Sequence, residues 1–278
     1  MVQRELRTCP GCGSVNSRMS EHARSAHGGR LPDFIIAGAP RAGTSWLYEV
    51  LDRHPQIYMA RPRRPEPKFF LVEEEYARGL EYYSDTWFAG ADEKTAGEKS
   101  TNYLESCEAA QRIAACLPRV KLIFILREPA ERALSNYRWS RQNGLESLTF
   151  AQALRLEPER EAGYNGRERL SRPYSYYSRG LYADLLKPYL DLFPLDQLLF
   201  LRYEDMISEP GAHVTRTHQF LGIEPRPQDG ATMAAVNSSE GAGEGEVDVA
   251  NLRERYRASN RRLAALLDGR FAVWEGSV

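Results

Sequence analysis

Three residues of this sequence have the clearest potential for chemistry: Arg41, Glu66 and Arg127. Arg41 lies in a short loop bounded by Gly38 and Gly43. The main-chain N–H groups of such a loop, together with the first turn of a following helix, converge on a bound anion. Glu66, elsewhere in the chain, suits acid–base chemistry on a group held there, and Arg127 offers a planar cation to an anionic ligand.

The residues around Arg41 predict the elements that position it. Phe34–Ala37 is apolar and partly β-branched, which predicts a buried strand, and Thr44–Leu51 has the apolar spacing of a helix. The glycines between them keep the spacing of the nucleoside triphosphatase pattern G-x-x-x-x-G-K-[ST], but Thr44 replaces the lysine. The loop therefore predicts an anion site that differs from a magnesium-bound γ-phosphate site. An ordinary strand-to-helix turn is the alternative.

Glu66 belongs to the motif Glu66–Phe70, in which a carboxylate, a lysine (Lys68) and two aromatic residues follow one another closely. Pro65 and Pro67 stiffen the backbone on both sides of Glu66. This pattern predicts a general base held at the mouth of a cleft. A surface or capping glutamate is the alternative. We interpret the stretch that contains Lys99, residues 97–103, as a short polar turn with one embedded cation.

The clearest strand of the sequence is Val120–Leu126, whose continuous apolar run is typical of a parallel strand covered on both faces. It ends in Arg127, and a helix that contains Ser135 follows. Magnesium-dependent kinases of the related fold normally have an aspartate at such a position. Arg127 predicts instead a planar cation at the carboxyl edge of the sheet, where open α/β folds bind ligands. A salt bridge with Glu128 or Glu131 is the alternative.

Composition predicts a soluble globular protein with one large core, or one domain with a small appendage. The chain has 278 residues, 42% hydrophobic and 27% charged, with a net charge of −1. This charge gives no indication of a nucleic-acid partner. The sequence shows neither a membrane-spanning apolar run nor the apolar core of a signal peptide, and its four cysteines suit a reducing compartment. We therefore expect a cytoplasmic protein without a membrane span.

Residues 1–30 form a separate N-terminal Cys/His segment. Its candidate ligands for a structural zinc ion are Cys9, Cys12, His22 and His27. The gap between Cys12 and His22 is shorter than in common zinc fingers, and a disordered tail fits the sequence equally well. We interpret the five arginines of the segment, Arg30 among them, as solvated charge.

The remaining elements alternate between helices and strands. Residues 156–173 are charged and contain two glycines, which indicates a mobile surface segment, and a tyrosine cluster follows at residues 174–182. The cluster fits an acceptor pocket or, more commonly, core packing. Apolar periodicity predicts a strand at Leu198–Tyr203 and helices at residues 71–88, 109–117, 181–193, 214–221 and 249–267.

Together these motifs resemble the sulfotransferases that use 3′-phosphoadenosine 5′-phosphosulfate (PAPS), in particular the carbohydrate branch with the heparan sulfate sulfotransferases. The resemblance covers about Pro32–Trp274 and implies that residues 31–278 form the sulfotransferase domain. It implies a P-loop-type parallel sheet with helices on both faces. It also implies a general base at Glu66, stabilising cations at Arg41, Lys68 and Lys99, and a cofactor site formed by Arg41, Ala42, Gly43, Thr44, Ser45, Trp46, Arg127 and Ser135.

Two departures from that family pattern are visible. Most members have lysine where this chain has Arg41, and many have a basic Lys-Gly-Arg motif where residues 238–246 of this chain contain no cation. The resemblance implies a carbohydrate or small-molecule acceptor, leaves its identity open, and gives no oligomeric state. The alternatives from other functional classes are a nucleoside-triphosphate kinase of the same fold and a non-catalytic zinc-bearing adaptor.

Overall fold

The computed structural model describes residues 29–226 and 246–274. This part of the chain contains five strands: β1 (Phe34–Gly38), β2 (Ile57–Met59), β3 (Thr95–Lys99), β4 (Lys121–Leu126) and β5 (Leu198–Arg202). They form one parallel sheet in the order β2-β3-β1-β4-β5.

At least one helix follows each strand along the chain, and two short helices separate β2 from β3. The helices of the described residues are α1 (Thr44–Asp52), α2 (Glu73–Tyr76), α3 (Gly79–Trp87), α4 (Cys107–Cys116), α5 (Pro129–Gln142), α6 (Phe150–Ala162), α7 (Gly166–Ser171), α8 (Tyr182–Leu192), α9 (Tyr203–Ser208), α10 (Pro210–Leu221) and α11 (Glu246–Leu267). None of them is both long and apolar enough to cross a bilayer.

Strand β1 lies at the centre of the sheet, between β3 and β4. Ile36 is in register with Lys99 on one side and with Ile123 on the other. All five residues of β1 are buried, so both faces of the sheet are covered at this point. Because parallel strands end at the same edge, the loops after β1, β3 and β4 emerge side by side. The predicted α/β fold with a parallel sheet is confirmed.

Our prediction of a polar turn at residues 97–103 is wrong. Residues 97–99 belong to β3, and a short 3₁₀ helix follows at Thr101–Glu105. The polar side chains that suggested a turn are buried here, because Lys99 pairs with Glu66 and Glu98 accepts a hydrogen bond from Ser100. Tertiary partners therefore override the hydrophilic pattern of this strand.

The prediction of a mobile segment at residues 156–173 is also wrong. Helices α6 and α7 cover most of it, and both begin with capping boxes, at Thr149 and Asn165. Glu157 of α6 is buried and accepts hydrogen bonds from the main-chain N–H groups of Tyr177 and Ser178. The tyrosine cluster contributes to packing, since Tyr176 and Tyr182 are fully buried.

The N-terminal segment lies almost entirely outside the described residues, and with it the predicted zinc ligands. Arg30 is described and is buried rather than solvated. It forms an ion pair with Asp33 and donates a hydrogen bond to the carbonyl oxygen of Lys94 at 2.8 Å. Arg30 therefore packs as part of the sheet domain, at the entry to β1.

A single added methyl group tests the close packing of β1 against β3. A Cβ atom at Gly97 would overlap the Phe34 ring. We expect Gly97→Ala to lower the free energy of unfolding by about 1–3 kcal/mol, as measured by urea denaturation. Gly166→Ala is the control, because nothing lies within 4 Å of the corresponding Cβ position. Wild-type stability of Gly97→Ala would show that the two strands are not packed as described.

Candidate active site

The loop between β1 and α1 has the geometry of an anion cradle. Arg41 and Gly43 have φ angles of 70° and 84°, in the left-handed region. Gly43 is the N-cap of α1 and offers no side-chain acceptor, and the first turn of the helix contains no acidic residue. The positive end of α1 is therefore left without a carboxylate of its own. Among the predicted loop residues, Ala42, Thr44 and Trp46 are buried, and Ser45 is partly exposed.

The side chain of Arg41 connects this loop to α5. Its Nε and Nη2 atoms donate to the Ser135 hydroxyl at 3.4 and 3.3 Å. Burial, together with the positive charges of Arg127, Arg132 and Arg64, lowers the pKa of Arg41 to about 10. The structure thus places the predicted residues Arg41 and Ser135 in direct contact, next to other cations.

Arg127 follows the last residue of β4. Its guanidinium lies over the Tyr203 ring, 4.8 Å from the ring centroid. The alternative of a salt bridge with the neighbouring acids does not hold, because Glu128 and Glu131 both pair with Arg253, at 3.4 and 2.6 Å. The cation of Arg127 is held by an aromatic face rather than by a carboxylate.

The start of α5 differs from that of α1. Glu128 is its N-cap and accepts hydrogen bonds from the main-chain N–H groups of Ala130 and Glu131, at 3.1 and 2.9 Å. Its own carboxylate therefore occupies the positive end of α5. Helix α5 can offer a ligand its side chains, whereas α1 can offer its main-chain N–H groups.

Glu66 and Lys99 form an ion pair at the end of β3. Only 3% of the Lys99 side chain is exposed. The Glu66 carboxylate also accepts from the main-chain N–H of Thr101 at 3.1 Å and from its hydroxyl at 3.3 Å. Burial lowers the pKa of Lys99, and the attraction of Glu66 opposes this shift. The general-base candidate is therefore fixed in place rather than free at the surface.

The Glu66 cluster lies beside the start of the anion loop. The main-chain N–H of Ser100 donates to the carbonyl oxygen of Ile36 in β1 at 3.2 Å. A Cβ atom at Gly38 would approach the Cβ atom of Leu104 to 2.7 Å, so only glycine allows this contact. Lys68 is half-buried, and its main-chain N–H donates to the Ser100 hydroxyl at 2.9 Å.

Sequence reasoning missed Arg132, which is fully buried in α5. Its Nη2 atom donates to the carbonyl oxygen of Tyr176, and within residues 29–226 and 246–274 no carboxylate pairs with it. Burial lowers its pKa. Arg132 lies three residues before Ser135 on the same helix, and that spacing places both on one face. The position of Arg132, one helical turn before Ser135, is the sequence feature that could have identified it.

The sequence of this chain is similar to those of known sulfotransferases. The family model described as "Sulfotransferase domain" matches residues 31–237. The chain belongs to the sulfotransferase domain family. It is 34% identical over 199 residues to mouse heparan sulfate glucosamine 3-O-sulfotransferase 3A1, which covers 70% of this chain and 46% of the relative. It is 32% identical over 257 residues to human heparan sulfate glucosamine 3-O-sulfotransferase 6, covering 84% and 71%.

A solved structure supports the same assignment for the fold. The sulfotransferase of Alicyclobacillus acidocaldarius superposes with a TM-score of 0.69 at 28% identity, covering 86% of this chain and 96% of that protein. This sulfotransferase domain spans about half the length of the first curated relatives it matches. The resemblance inferred from the motifs is confirmed, and it favours the sulfotransferase interpretation over the kinase and the adaptor.

The buried carboxyl group of Glu98, next to Lys99, makes stability depend on pH. Burial raises its pKa from 4.5 to about 7. Between these values the folded state keeps a proton that the unfolded state has lost, so the free energy of unfolding falls as pH rises. The glutamine side chain of Glu98→Gln does not titrate in this pH range, so that variant lacks this contribution to the pH dependence. We expect the stability of wild type relative to Glu98→Gln to fall by on the order of 3 kcal/mol from pH 4.5 to 7.

Urea denaturation of both proteins at a series of pH values measures this difference, with the exposed Glu74→Gln as control. A difference that stays constant across the window would show that Glu98 has an ordinary pKa.

Proposed function

We propose that this chain transfers a sulfonate group from PAPS to a hydroxyl or amino group of a carbohydrate or small-molecule acceptor. Glu66 is the general base of this reaction. Arg41, Lys68, Lys99 and the loop N–H groups stabilise the leaving phosphate, and Arg127 and Ser135 bind the 3′-phosphate. The single observation that carries the proposal is the position of the Glu66–Lys99 pair beside the Arg41 loop, at the shared edge of β1 and β3.

The charges of the site fit a nucleotide with two anionic ends. Positive charges gather around Arg41, and their mutual repulsion contributes to its lowered pKa. A dianion placed among them would relieve that repulsion. The start of α1 has no acidic residue, while Arg127 lies one strand away, at the end of β4. These are two separate anion-binding positions on one sheet edge.

The donor supplies an activated sulfonate whose transfer is an in-line displacement, similar to phosphoryl transfer. Glu66 takes the proton of the acceptor as the acceptor atom bonds to sulfur. The bond from sulfur to the phosphate oxygen breaks, and the electron pair goes to that oxygen. Lys99 forms an ion pair with Glu66, so it fixes the position of the carboxylate and contributes positive charge where the leaving group develops its negative charge.

The relatives support a carbohydrate acceptor. Two of them are named for the 3-O-sulfation of heparan sulfate glucosamine, and a human relative, 30% identical over 204 residues, is named as an N-deacetylase/N-sulfotransferase. Because both oxygen and nitrogen acceptors occur among these names, we propose the carbohydrate class and leave the acceptor atom open.

Removing the charge of Glu66 tests its role as base. We expect Glu66→Gln to lower turnover about 10²–10⁴-fold, because general-base catalysis contributes on that order. Its affinity for adenosine 3′,5′-bisphosphate, measured by isothermal titration calorimetry, should stay near that of wild type. Glu74→Gln is the matched control. Near-normal turnover of Glu66→Gln, with radiolabelled PAPS and a heparan sulfate acceptor, would remove Glu66 as the base.

Nucleotide affinity tests the proposed 3′-phosphate site at Arg127 and Ser135. We expect Arg127→Ala and Ser135→Ala to weaken binding of adenosine 3′,5′-bisphosphate by about tenfold or more, since a hydrogen bond to a charged group contributes about 1.5–3 kcal/mol. Their affinity for adenosine 5′-monophosphate, which lacks the 3′-phosphate, should change little. Arg119→Ala is the control, because Arg119 is exposed and precedes the opposite end of β4. Equal losses for both nucleotides would contradict the assignment.

A further inference from the structure

A fully buried carboxyl group lies directly behind the candidate base. Glu98 is in β3, between β1 and β2, and has no solvent exposure. The hydroxyl groups that act on it come from three places: Tyr83 of α3, Ser100 after β3, and Tyr103 of the following 3₁₀ helix. The negative charge of Glu66 also acts on it and raises its pKa. Lys99 is paired with Glu66, so Glu98 has no ion-pair partner from its own strand neighbour.

The first connection from Glu98 reaches the backbone at Lys68. The main-chain N–H of Lys68 donates to the Ser100 hydroxyl at 2.9 Å, and that hydroxyl donates to Oε2 of Glu98 at 3.2 Å. A serine hydroxyl has one proton. Because its oxygen accepts from Lys68, the direction of its own proton is set by the carboxyl group of Glu98.

A second connection runs in parallel and reaches Phe70. The main-chain N–H of Phe70 donates to the Tyr103 hydroxyl at 3.2 Å. The Tyr103 and Ser100 hydroxyls both lie close enough to Glu98 to lower its pKa, against the larger effect of burial. Two alternate N–H groups of one loop are therefore bonded to hydroxyls that lie next to a single carboxyl group.

The loop held in this way is the one that carries Glu66. Lys68 has a φ angle of 50°, a left-handed conformation that is unfavourable for a residue with a side chain. Such a conformation persists only where the surroundings hold it. The Ser100 hydroxyl supplies a bond to this residue, two positions after Glu66, while Thr101 binds the carboxylate of Glu66 itself.

We propose that Glu98 is a positioning residue that orients the Ser100 and Tyr103 hydroxyls, fixes the backbone of residues 68–70, and thereby holds Glu66 at the sulfonate-transfer site. This proposal rests on the proposed function for Glu66. Glu98 itself does not touch substrate. Its contribution differs from that of Lys99, which acts on the Glu66 carboxylate directly.

Three variants interrupt the connections at different points: Glu98→Gln, Ser100→Ala and Tyr103→Phe. Ser100→Ala removes the acceptor of the Lys68 N–H, and Tyr103→Phe removes that of Phe70. Tyr164→Phe is a matched control, because the buried Tyr164 hydroxyl likewise accepts from a main-chain N–H, that of Tyr174 at 2.8 Å, in another part of the fold.

The first measurement is amide hydrogen exchange, resolved by NMR at Lys68 and Phe70. We expect exchange about 5- to 10-fold faster at Lys68 in Ser100→Ala and at Phe70 in Tyr103→Phe, because each variant loses the hydroxyl that accepts from that N–H. We expect faster exchange at both amides in Glu98→Gln, because an NH2 group that cannot accept from a hydroxyl replaces one carboxyl oxygen. Tyr164→Phe should leave both amides unchanged. If folded Ser100→Ala and Glu98→Gln exchange at the wild-type rate at these positions, the proposal is wrong.

The second measurement separates positioning from binding. We expect kcat to fall about tenfold in Ser100→Ala and Glu98→Gln, with the Kd for adenosine 3′,5′-bisphosphate within about twofold of wild type. Unchanged kcat alongside faster exchange would show that the loop is held for stability rather than for catalysis, and would overturn the proposal. Absence of sulfonate transfer in wild type would instead remove the proposed function, and the exchange rates would still report on the loop.

Discussion

The ion pair between Glu66 and Lys99 is the interaction on which the rest of the site depends. Lys99 ends a strand inside the sheet, and an unpaired ammonium group buried there would cost several kcal/mol. Glu66 supplies the opposite charge, from a loop stiffened by Pro65 and Pro67. The same contact that makes a buried lysine tolerable therefore brings a carboxylate to the carboxyl edge of the sheet, beside the loop after β1.

The other half of the site has a different character, because the contacts described below for its cations are to neutral groups. Arg41 is bonded to the Ser135 hydroxyl, Arg127 lies over Tyr203, and Arg132 is bonded to a carbonyl oxygen. Helix α1 adds its positive end, whereas Glu128 caps that of α5. Fixed positive charge at low solvent exposure is what stabilises an anion that forms during a reaction. A carboxylate on one side and clustered cations on the other suit transfer of an anionic group.

Local sequence predicted the parts of the site that are built locally. The loop of residues 38–43 and the end of β4 at Arg127 were identified because strand, loop and helix follow one another directly. The pairing of Glu66 with Lys99 joins residues 33 positions apart, and nothing in either motif indicates the other. Strand β3 was mistaken for a turn for the same reason, since its polar residues are satisfied only by distant partners.

The remaining differences have a similar cause. Residues 156–173 look like a mobile segment by composition, yet capping boxes and the buried Glu157 hold them as helices. Arg132 has the appearance of an ordinary charged helix residue and is instead fully buried. In each case a charged side chain contributes to packing through a hydrogen bond that the pattern of hydrophobic residues does not encode.

A crystal structure with bound adenosine 3′,5′-bisphosphate is the most direct test of this account. We expect the 5′-phosphate against the main-chain N–H groups at the start of α1 and beside Arg41, and the 3′-phosphate against Arg127 and Ser135. Glu66 should face the open side of the 5′-phosphate. A nucleotide bound away from the carboxyl edge of β1 and β4, or with Glu66 remote from the 5′-phosphate, would contradict the account.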